Sequence, residues 1–174
     1  MSCSISFCWD KMILKVKIVS NIGGEVKAPP SKSYSHRAVI LASLAKGTSK
    51  LYDMLFSEDT LASIRVCKAL GAQINRKDNY LEVIGTNGRL HNSCEGSIDL
   101  ANSGTTLRLM TSVSALSDNE VILTGDESLQ TRPMGPLMDA LKPLGVETVS
   151  LNDDDKAPIL IKPGYAEPDR KSVV

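Results

Sequence analysis

The residues best suited to bind a ligand lie in one short stretch, from Pro29–Pro30 to Arg37. The two prolines hold the backbone extended and remove two N–H donors, so a helix can begin only after them. Ser31 or Ser33 can cap that helix. Lys32 and Arg37 add two positive charges to the partial positive charge of the first turn. Such a helix start suits a phosphate or a carboxylate, and the alternative is two solvated cations beside capping serines.

The overall composition is that of an ordinary globular protein, so any basic character must be local. Of the 174 residues, 42% are hydrophobic and 23% are charged, and the formal net charge is zero. A net charge of zero argues against a general nucleic-acid binder and against a protein that adheres to anionic membranes. No apolar run approaches the roughly 20 residues of a membrane span.

The four cysteines do not indicate a metal or redox site. Their spacing, at positions 3, 8, 67 and 94, fits neither a zinc ribbon nor a CxxC pair. Cys67 lies beside Val66 and Leu70 on one face of a predicted helix, so we expect it in the core. The reducing cytoplasm is therefore the predicted compartment.

The apolar pattern predicts two similar units, each built as strand–helix–strand–helix–strand–strand. Strands are predicted at 13–19, 25–28, 48–52, 72–76, 80–84, 97–100, 120–124, 146–151 and 159–162, and helices from 33 to 46, 57 to Gly71, 102–106 to 116 and Arg132–Pro133 to Gly145. A repeat of roughly 70 residues is typical of a modular fold. Because like units are related by rotation, we expect the helix starts to converge on one face.

Helix boundaries can also be assigned from capping residues. The first helix is apolar on nearly every side, which predicts a place in the middle of a domain. Gly47 is predicted to close it as the residue after the cap. Ser57 is predicted to cap the second helix, and Pro133 to occupy the first position of the fourth.

Three motifs occur in order along the chain: Pro30–Ala38, Ala101–Arg108, and Leu123–Asp126 followed by Gln130–Met134. Together they resemble the N-terminal part of the 3-phosphoshikimate 1-carboxyvinyltransferase (EPSP synthase) family. The resemblance runs from about 14 to 162, nearly the whole chain. The form of the first motif looks like that of the archaeal branch.

The resemblance implies an α/β fold, the inside-out α/β barrel of the enolpyruvyl transferases, made of repeated βαβαββ units and truncated here. Residues 1–12 are then an N-terminal extension, with Met12 as the natural start. Strands within 13–28 would belong to the family's second domain. Residues 29–165 would hold the first two units of the first domain, and 166–174 would be a tail that stops before the third unit.

The resemblance also implies a reaction. The family moves the enolpyruvyl group of phosphoenolpyruvate onto the 5-hydroxyl of shikimate 3-phosphate and releases phosphate, a step on the chorismate route to aromatic amino acids. Both substrates are polyanions, which suits the cationic helix start. The resemblance implies no metal and no organic cofactor, no nucleic-acid or membrane partner, and a cytoplasmic enzyme that is monomeric at full length.

Motif positions carry the family's binding roles onto six residues of this chain. By the resemblance, shikimate 3-phosphate is bound by Lys32, Ser33 and Arg37, and phosphoenolpyruvate by Lys32, Asn102, Gly104 and Arg132. Glycine lets backbone N–H groups approach a ligand, and arginine offers a planar fork to a carboxylate or phosphate. The alternatives are a plain helix-start turn for Gly104 and a solvated charge for Arg132.

Other polar residues are predicted to have structural or surface roles. Asp59 is expected to cap the first turn of its helix, and Arg108 to pair between the two units. His36 and His91 are expected to be polar surface residues rather than bases. Leu109 stands where many members of the family carry proline, which would loosen the helix that follows Gly104.

By the resemblance, several catalytic groups lie outside this sequence. The family's Ser-Ser-Gln segment and its second domain, with the catalytic acid and base, are missing. Lys32 is therefore the one catalytic candidate, and its role would be to assist proton transfer. We expect the 174 residues alone to bind the anions weakly and not to turn over.

Two alternative functions stay open at this point. One is the sister enzyme that transfers the same group to a UDP-sugar, but its usual loop cysteine is missing from 125–131. The other is a non-catalytic product: a truncated chain, or a half that needs a separately encoded partner.

Overall fold

The computed structural model of the chain describes Asn21 and residues 23–164. The predicted strand at 13–19, the predicted extension at 1–12 and the predicted tail at 166–174 lie outside these residues. The division of the chain into domains therefore stays a prediction.

The first half of the described chain is a helix-covered antiparallel sheet, here called the first unit. Its elements are α1 (Lys32–Leu44), β1 (Thr48–Tyr52), α2 (Glu58–Ala69), β2 (Gln73–Arg76) and β3 (Tyr80–Ile84). The strand order is β1-β3-β2, and β1 pairs with β3 in the register Leu51 to Leu81. The hairpin predicted across 77–79 joins β2 to β3, where the Lys77 N–H donates to the Tyr80 carbonyl at 2.9 Å.

The second half, here called the second unit, contains a four-stranded mixed sheet. Its elements are β4 (Ser97–Asp99), α3 (Gly104–Ser114), β5 (Val121–Thr124), α4 (Glu127–Gln130), α5 (Gly135–Leu141), a 3-10 turn (Lys142–Leu144), β6 (Thr148–Ser150) and β7 (Ile159–Ile161). The strand order is β4-β5-β7-β6. Because β4 and β5 are parallel, they need a crossover, and α3 supplies it.

The core runs between the helices and through both sheets. Side chains with no exposed surface come from α1, α2, α3, β5 and β7, for example Val39, Val66, Leu107, Leu123 and Ile159. Cys67 lies among them, as predicted, and burial raises the pKa of its thiol to about 11. The thiol therefore stays protonated and packs as a small apolar group.

Capping side chains explain where the helices begin. Ser57 caps α2 as predicted, in a reciprocal capping box with Thr60. Ser31, not Ser33, caps α1, and Ser103 caps α3. Each cap serine accepts a hydrogen bond from an N–H group of the first turn, and the helix begins at the next residue.

The structure corrects three predictions near α1. Residues 25–28 form no strand, and Val26 is 89% exposed. Helix α1 is not surrounded on all sides within the described chain, because only one stripe is buried and Tyr34 and Leu41 are 74% and 66% exposed. The helix ends at Leu44 with an extended cap at Ala45, so Gly47 lies beyond the closing position.

A fourth correction concerns Arg132–Pro133, which does not open a helix. Asp126 caps the separate short helix α4, and α5 begins only at Gly135, with Pro136 in its first turn. Arg132 therefore lies in the connection between the two helices. Gly145 does end this region with a left-handed φ of 77°, as predicted. None of the helices among the described residues has the length and apolar character of a membrane span.

Candidate functional site

The start of α1 presents backbone N–H groups and a lysine without a local acid to balance them. The first helical hydrogen bond runs from the Ser35 N–H to the Ser31 carbonyl at 3.0 Å, so the N–H groups of Lys32 and Ser33 precede it. No acidic residue occupies the first turn. The partial positive charge of this helix start is therefore reinforced rather than offset within α1.

The balancing carboxylate comes from the neighbouring helix. Asp59, in the first turn of α2, forms an ion pair with the Lys32 ammonium group. The Lys32 side chain is 50% exposed and that of Asp59 is 25% exposed. The prediction that Asp59 caps its helix is wrong, because Ser57 and Thr60 already satisfy that end and leave the carboxylate free to reach α1.

The start of α3 holds the second group of predicted site residues. The Arg132 guanidinium donates from Nη2 to the Asn102 Oδ1 at 2.5 Å. A Cβ at Gly104 would collide with Arg132 Nη1 and lie 3.3 Å from its Cζ. The absence of a side chain at 104 is thus what lets the guanidinium lie across the first turn of α3.

A strained turn sets the direction of Asn102. Ala101 has a φ of 50°, which is uncommon for a residue with a Cβ. Its N–H donates to the Asp99 carboxylate at 2.8 Å, and its carbonyl accepts from the Asp126 N–H at 3.0 Å. These two bonds hold the turn in a conformation that costs of order 1–3 kcal/mol.

Buried hydroxyl groups connect the two helix starts. Thr106, on α3, donates from Oγ1 to the Asp59 carbonyl at 3.3 Å and lies 2.8 Å from the Ser63 Oγ on α2. Lys32 and Gly104 are therefore joined through Asp59 and Thr106, by contacts that cross from the first unit to the second.

His36 belongs to the same buried region, which corrects its prediction as a surface residue. It is 1% exposed, and its Nδ1 lies 2.7 Å from the Ser63 Oγ. Burial lowers the pKa of His36 below its usual value, with the Asp59 carboxylate opposing this shift and Lys32 adding to it. His91 is an exposed residue as predicted, with its Nδ1 2.9 Å from the Asp118 carboxylate.

Two of the six predicted site residues stand apart from this cluster. Ser33 and Arg37 are exposed and lie one turn apart on the same face of α1. That face is next to the one that carries Lys32 toward α2. Within the described part of the chain, Arg108 does not pair between the two units, and its Nη2 donates to the Pro133 carbonyl at 3.3 Å within the second unit.

The cluster as a whole is suited to an anion. Asp59 links Lys32 to Thr106 and Ser103 at the start of α3, next to Asn102, which binds Arg132. The starts of α1 and α3 carry no acids in their first turns. Arginine and helix N-termini are the groups that proteins use for phosphate and carboxylate. Among residues 23–164, no group of three or more His, Cys, Asp or Glu side chains is arranged to hold a metal ion.

A family model named EPSP synthase (3-phosphoshikimate 1-carboxyvinyltransferase) matches residues 16–171. The chain belongs to the EPSP synthase family. This confirms the resemblance carried by the three motifs.

Curated relatives and solved structures agree with the family assignment. A Methanobrevibacter smithii protein named 3-phosphoshikimate 1-carboxyvinyltransferase is 75% identical over 154 residues, which is 88% of this chain and 35% of the relative. A protein of that name from Methanothermobacter thermautotrophicus is 52% identical over 153 residues, 88% of this chain and 36% of the relative. The chain thus spans about a third of the length of these relatives.

The fold comparison supports the mixed α/β class. An EPSP synthase structure from Acinetobacter baumannii superposes with a TM-score of 0.75 and 27% identity, over 81% of this chain and 32% of that one. The α/β class predicted from the sequence is therefore confirmed at this level, together with the membership of the family.

Two residues important to the site were missed by sequence reasoning, namely Ser63 and Thr106. Each is a fully buried hydroxyl on the core-facing side of its helix. A buried hydroxyl needs a hydrogen-bond partner, so its place on the core-facing side of a helix was a signal that it takes part in a buried contact. Which partner each would find depends on how α2 and α3 pack, and a single sequence does not specify this.

Replacing each of two glycines with alanine distinguishes a site where the neighbouring side chain can move from a site where the neighbouring backbone cannot. Gly104→Ala meets the tip of Arg132, which can move, so we expect the free energy of unfolding to change by less than about 1 kcal/mol. Gly125→Ala meets the Ala101 carbonyl and lies 3.1 Å from the Leu129 Cβ, so we expect destabilisation of about 2 kcal/mol or more. Urea denaturation of both variants measures this, and a larger loss for Gly104→Ala would contradict the geometry.

The buried histidine predicts a pH dependence of stability. Because the folded pKa of His36 lies below the ordinary 6.5, the unfolded chain takes up the proton first as the pH falls. Stability should therefore be complete above about pH 6.5 and should decrease below it. Urea denaturation from about pH 7.5 to about pH 5 should show a steeper loss for the wild type than for His36→Asn. Parallel curves would contradict a buried neutral imidazole.

Proposed function

We propose that the protein to which this chain belongs transfers the enolpyruvyl group of phosphoenolpyruvate to the 5-hydroxyl of shikimate 3-phosphate. The observation that carries the proposal is the arrangement of Arg132 across Gly104 and Asn102, joined to Lys32 in a chain of the EPSP synthase family. The curated relatives bear the name of this reaction. Both substrates are polyanions, and the cluster is built from cationic and N–H donor groups.

The phosphoenolpyruvate side of the site is assigned to the second unit. Arg132 offers two parallel N–H donors to a carboxylate or phosphate, and Asn102 holds that fork in place at 2.5 Å. Gly104 leaves the first turn of α3 open to the ligand. Lys32, half-exposed, reaches the same anion from α1.

The shikimate 3-phosphate side is assigned to the exposed face of α1. Ser33 and Arg37 lie one turn apart there and are both exposed. A hydroxyl and a guanidinium at this spacing can bind one phosphate together. Lys32, which precedes Ser33 and pairs with Asp59 on α2, is the residue that would contact both substrates.

The reaction requires proton movements that this part of the chain can only assist. A proton must reach the methylene carbon of phosphoenolpyruvate, and the attacking hydroxyl must lose one. The hydroxyl oxygen then bonds to the central carbon, phosphate leaves, and loss of a methyl proton restores the double bond. Lys32 assists these transfers as a donor beside the reacting groups, and the acid and base carboxylates come from the rest of the protein.

Several wider features belong to the same proposal. The two units described here would form part of an inside-out α/β barrel, completed by a third unit and a second domain in a monomeric cytoplasmic enzyme. No metal or organic cofactor takes part. The 174 residues alone would bind the anions weakly without turnover, and a separately encoded half is the alternative source of the missing groups.

Binding of the two substrates by the chain itself tests this proposal. NMR titration, which suits weak binding, should detect phosphoenolpyruvate and shikimate 3-phosphate but no competition from a UDP-sugar. Arg132→Ala should weaken phosphoenolpyruvate about tenfold or more, as expected for loss of charge-assisted hydrogen bonds.

The matched control is Lys142→Ala. Lys142 is an exposed cation paired with Asp139 at 2.7 Å, outside the cluster. Its loss should leave both affinities within about twofold. Equal effects of the two substitutions, or no binding of either substrate, would contradict the assignment of the site. Phosphate release above background would contradict the expected inactivity of the isolated chain.

A further inference from the structure

A continuous chain of hydroxyl groups runs through the buried junction of α1, α2 and α3. It begins at His36 Nδ1, 2.7 Å from the Ser63 Oγ, and continues 2.8 Å to the Thr106 Oγ1. It ends at the Ser103 Oγ, a further 2.7 Å away. All four side chains are at most 1% exposed. Water therefore does not compete for these bonds, and each group depends on the next for its partner.

Hydrogen-bond counting gives this chain a direction. The Thr106 hydroxyl donates to the Asp59 carbonyl at 3.3 Å, so its oxygen is free to accept from both Ser63 and Ser103. Ser63 then has a free lone pair, which accepts from a proton on His36 Nδ1. In this arrangement every hydroxyl proton has an acceptor.

The opposite direction is less favourable. If Ser63 donated to His36, the imidazole proton would lie on Nε2, a buried atom with no hydrogen-bond partner among the described residues. An orphaned buried donor costs more than an orphaned lone pair of a ring nitrogen. The structure therefore favours a neutral imidazole that carries its proton on Nδ1.

The two ends of this hydroxyl chain lie on the same helix starts as Lys32 and Gly104. His36 follows Lys32 by one turn of α1, so the two side chains share a helix face. At the other end, Ser103 caps α3 and immediately precedes Gly104. Asp59 joins both ends, because its carbonyl accepts from Thr106 while its carboxylate pairs with Lys32.

We propose that His36 is a positioning residue, whose Nδ1–H orders the hydroxyl chain that holds the start of α3 against α1. Its effect is to keep Lys32 and Gly104 facing one bound anion. The identity of that anion rests on the proposed function, but the ordering of the chain does not.

A pair of substitutions separates the hydrogen bond from the volume of the side chain. In His36→Asn, the side-chain amide can place an N–H close to the position of Nδ1, whereas His36→Leu keeps an apolar side chain of similar reach and loses the donor. Ser43→Ala is the matched control. Ser43 is a buried hydroxyl on the same helix that donates to the Val39 carbonyl at 2.8 Å, outside the chain of hydroxyls.

The first measurement is nitrogen NMR of the wild-type imidazole and of the Gly104 and Thr105 amides. We expect a protonated Nδ1 and an unprotonated Nε2 in His36. The two amides should shift in His36→Leu but stay near their wild-type positions in His36→Asn and Ser43→Ala. A proton on Nε2, or equal amide shifts in all three variants, would overturn the positioning role whatever the ligand.

The second measurement is the affinity of the same variants for phosphoenolpyruvate. His36→Leu should weaken it roughly five- to tenfold, as for one lost hydrogen bond, and His36→Asn should restore it to within about twofold. Equal weakening by leucine and asparagine would overturn the proposal. If the wild-type chain binds no phosphoenolpyruvate, the proposed function fails instead, and the NMR result alone decides the role of His36.

Discussion

The site depends on one electrostatic constraint: two helix starts and two cations, Lys32 and Arg132, belong to one cluster although their positive charges repel one another. Each misplaced charge near a helix end costs about 0.3–1 kcal/mol. The structure offsets this cost in two ways. Asp59 places a carboxylate from α2 against Lys32, and the buried Ser63–Thr106 contact ties α2 to α3. These contacts fix how the helix starts meet, while apolar packing in the core holds the three helices together.

The same contacts explain why the two units cannot be regarded as independent. The bond between Ser63 and Thr106 joins residues far apart in sequence, on helices α2 and α3 of different units. Fully buried hydrogen bonds of this kind specify a single arrangement, because sliding α2 past α3 would break both the Ser63–Thr106 bond and the bond from Thr106 to the Asp59 carbonyl. The geometry around Lys32 and Gly104 is thus a property of the junction rather than of either unit.

Much of the local structure could be predicted from the sequence because it depends on neighbouring residues. Ser57 caps α2, Gly145 ends its region in a left-handed conformation, and the hairpin of β2 and β3 turns at 77–79. These features follow from side chains that act within a few residues. The three motifs also identified the family that the comparison confirms.

The errors arose where distant packing overrides local preference. His36 is predicted as a polar surface residue, yet it lies with Val39 and Ser43 on the buried stripe of α1. The helical spacing of that stripe was a usable signal. The pairing of Asp59 with Lys32 was not predictable, because it depends on how α1 and α2 pack. The predicted helix start at Arg132 is wrong because the short helix α4, which Asp126 caps, ends just before this residue.

Family membership and structure together suggest which steps of the proposed reaction the described residues perform. The described residues supply N–H groups, a flexible ammonium and a planar guanidinium, which are groups that bind and orient anions. They supply Asp59 as a partner for Lys32 rather than as a free base. Under the proposed function, the residues described here bind the substrates, and the groups that complete proton transfer would come from the rest of the protein.

The central claim is that the starts of α1 and α3 act on one anion. Titration with phosphoenolpyruvate, followed at the backbone amides of Lys32, Gly104 and Thr105, tests it most directly. The account predicts that amides on both helices shift together and give the same dissociation constant. Shifts confined to one helix, or two clearly different constants, would contradict it.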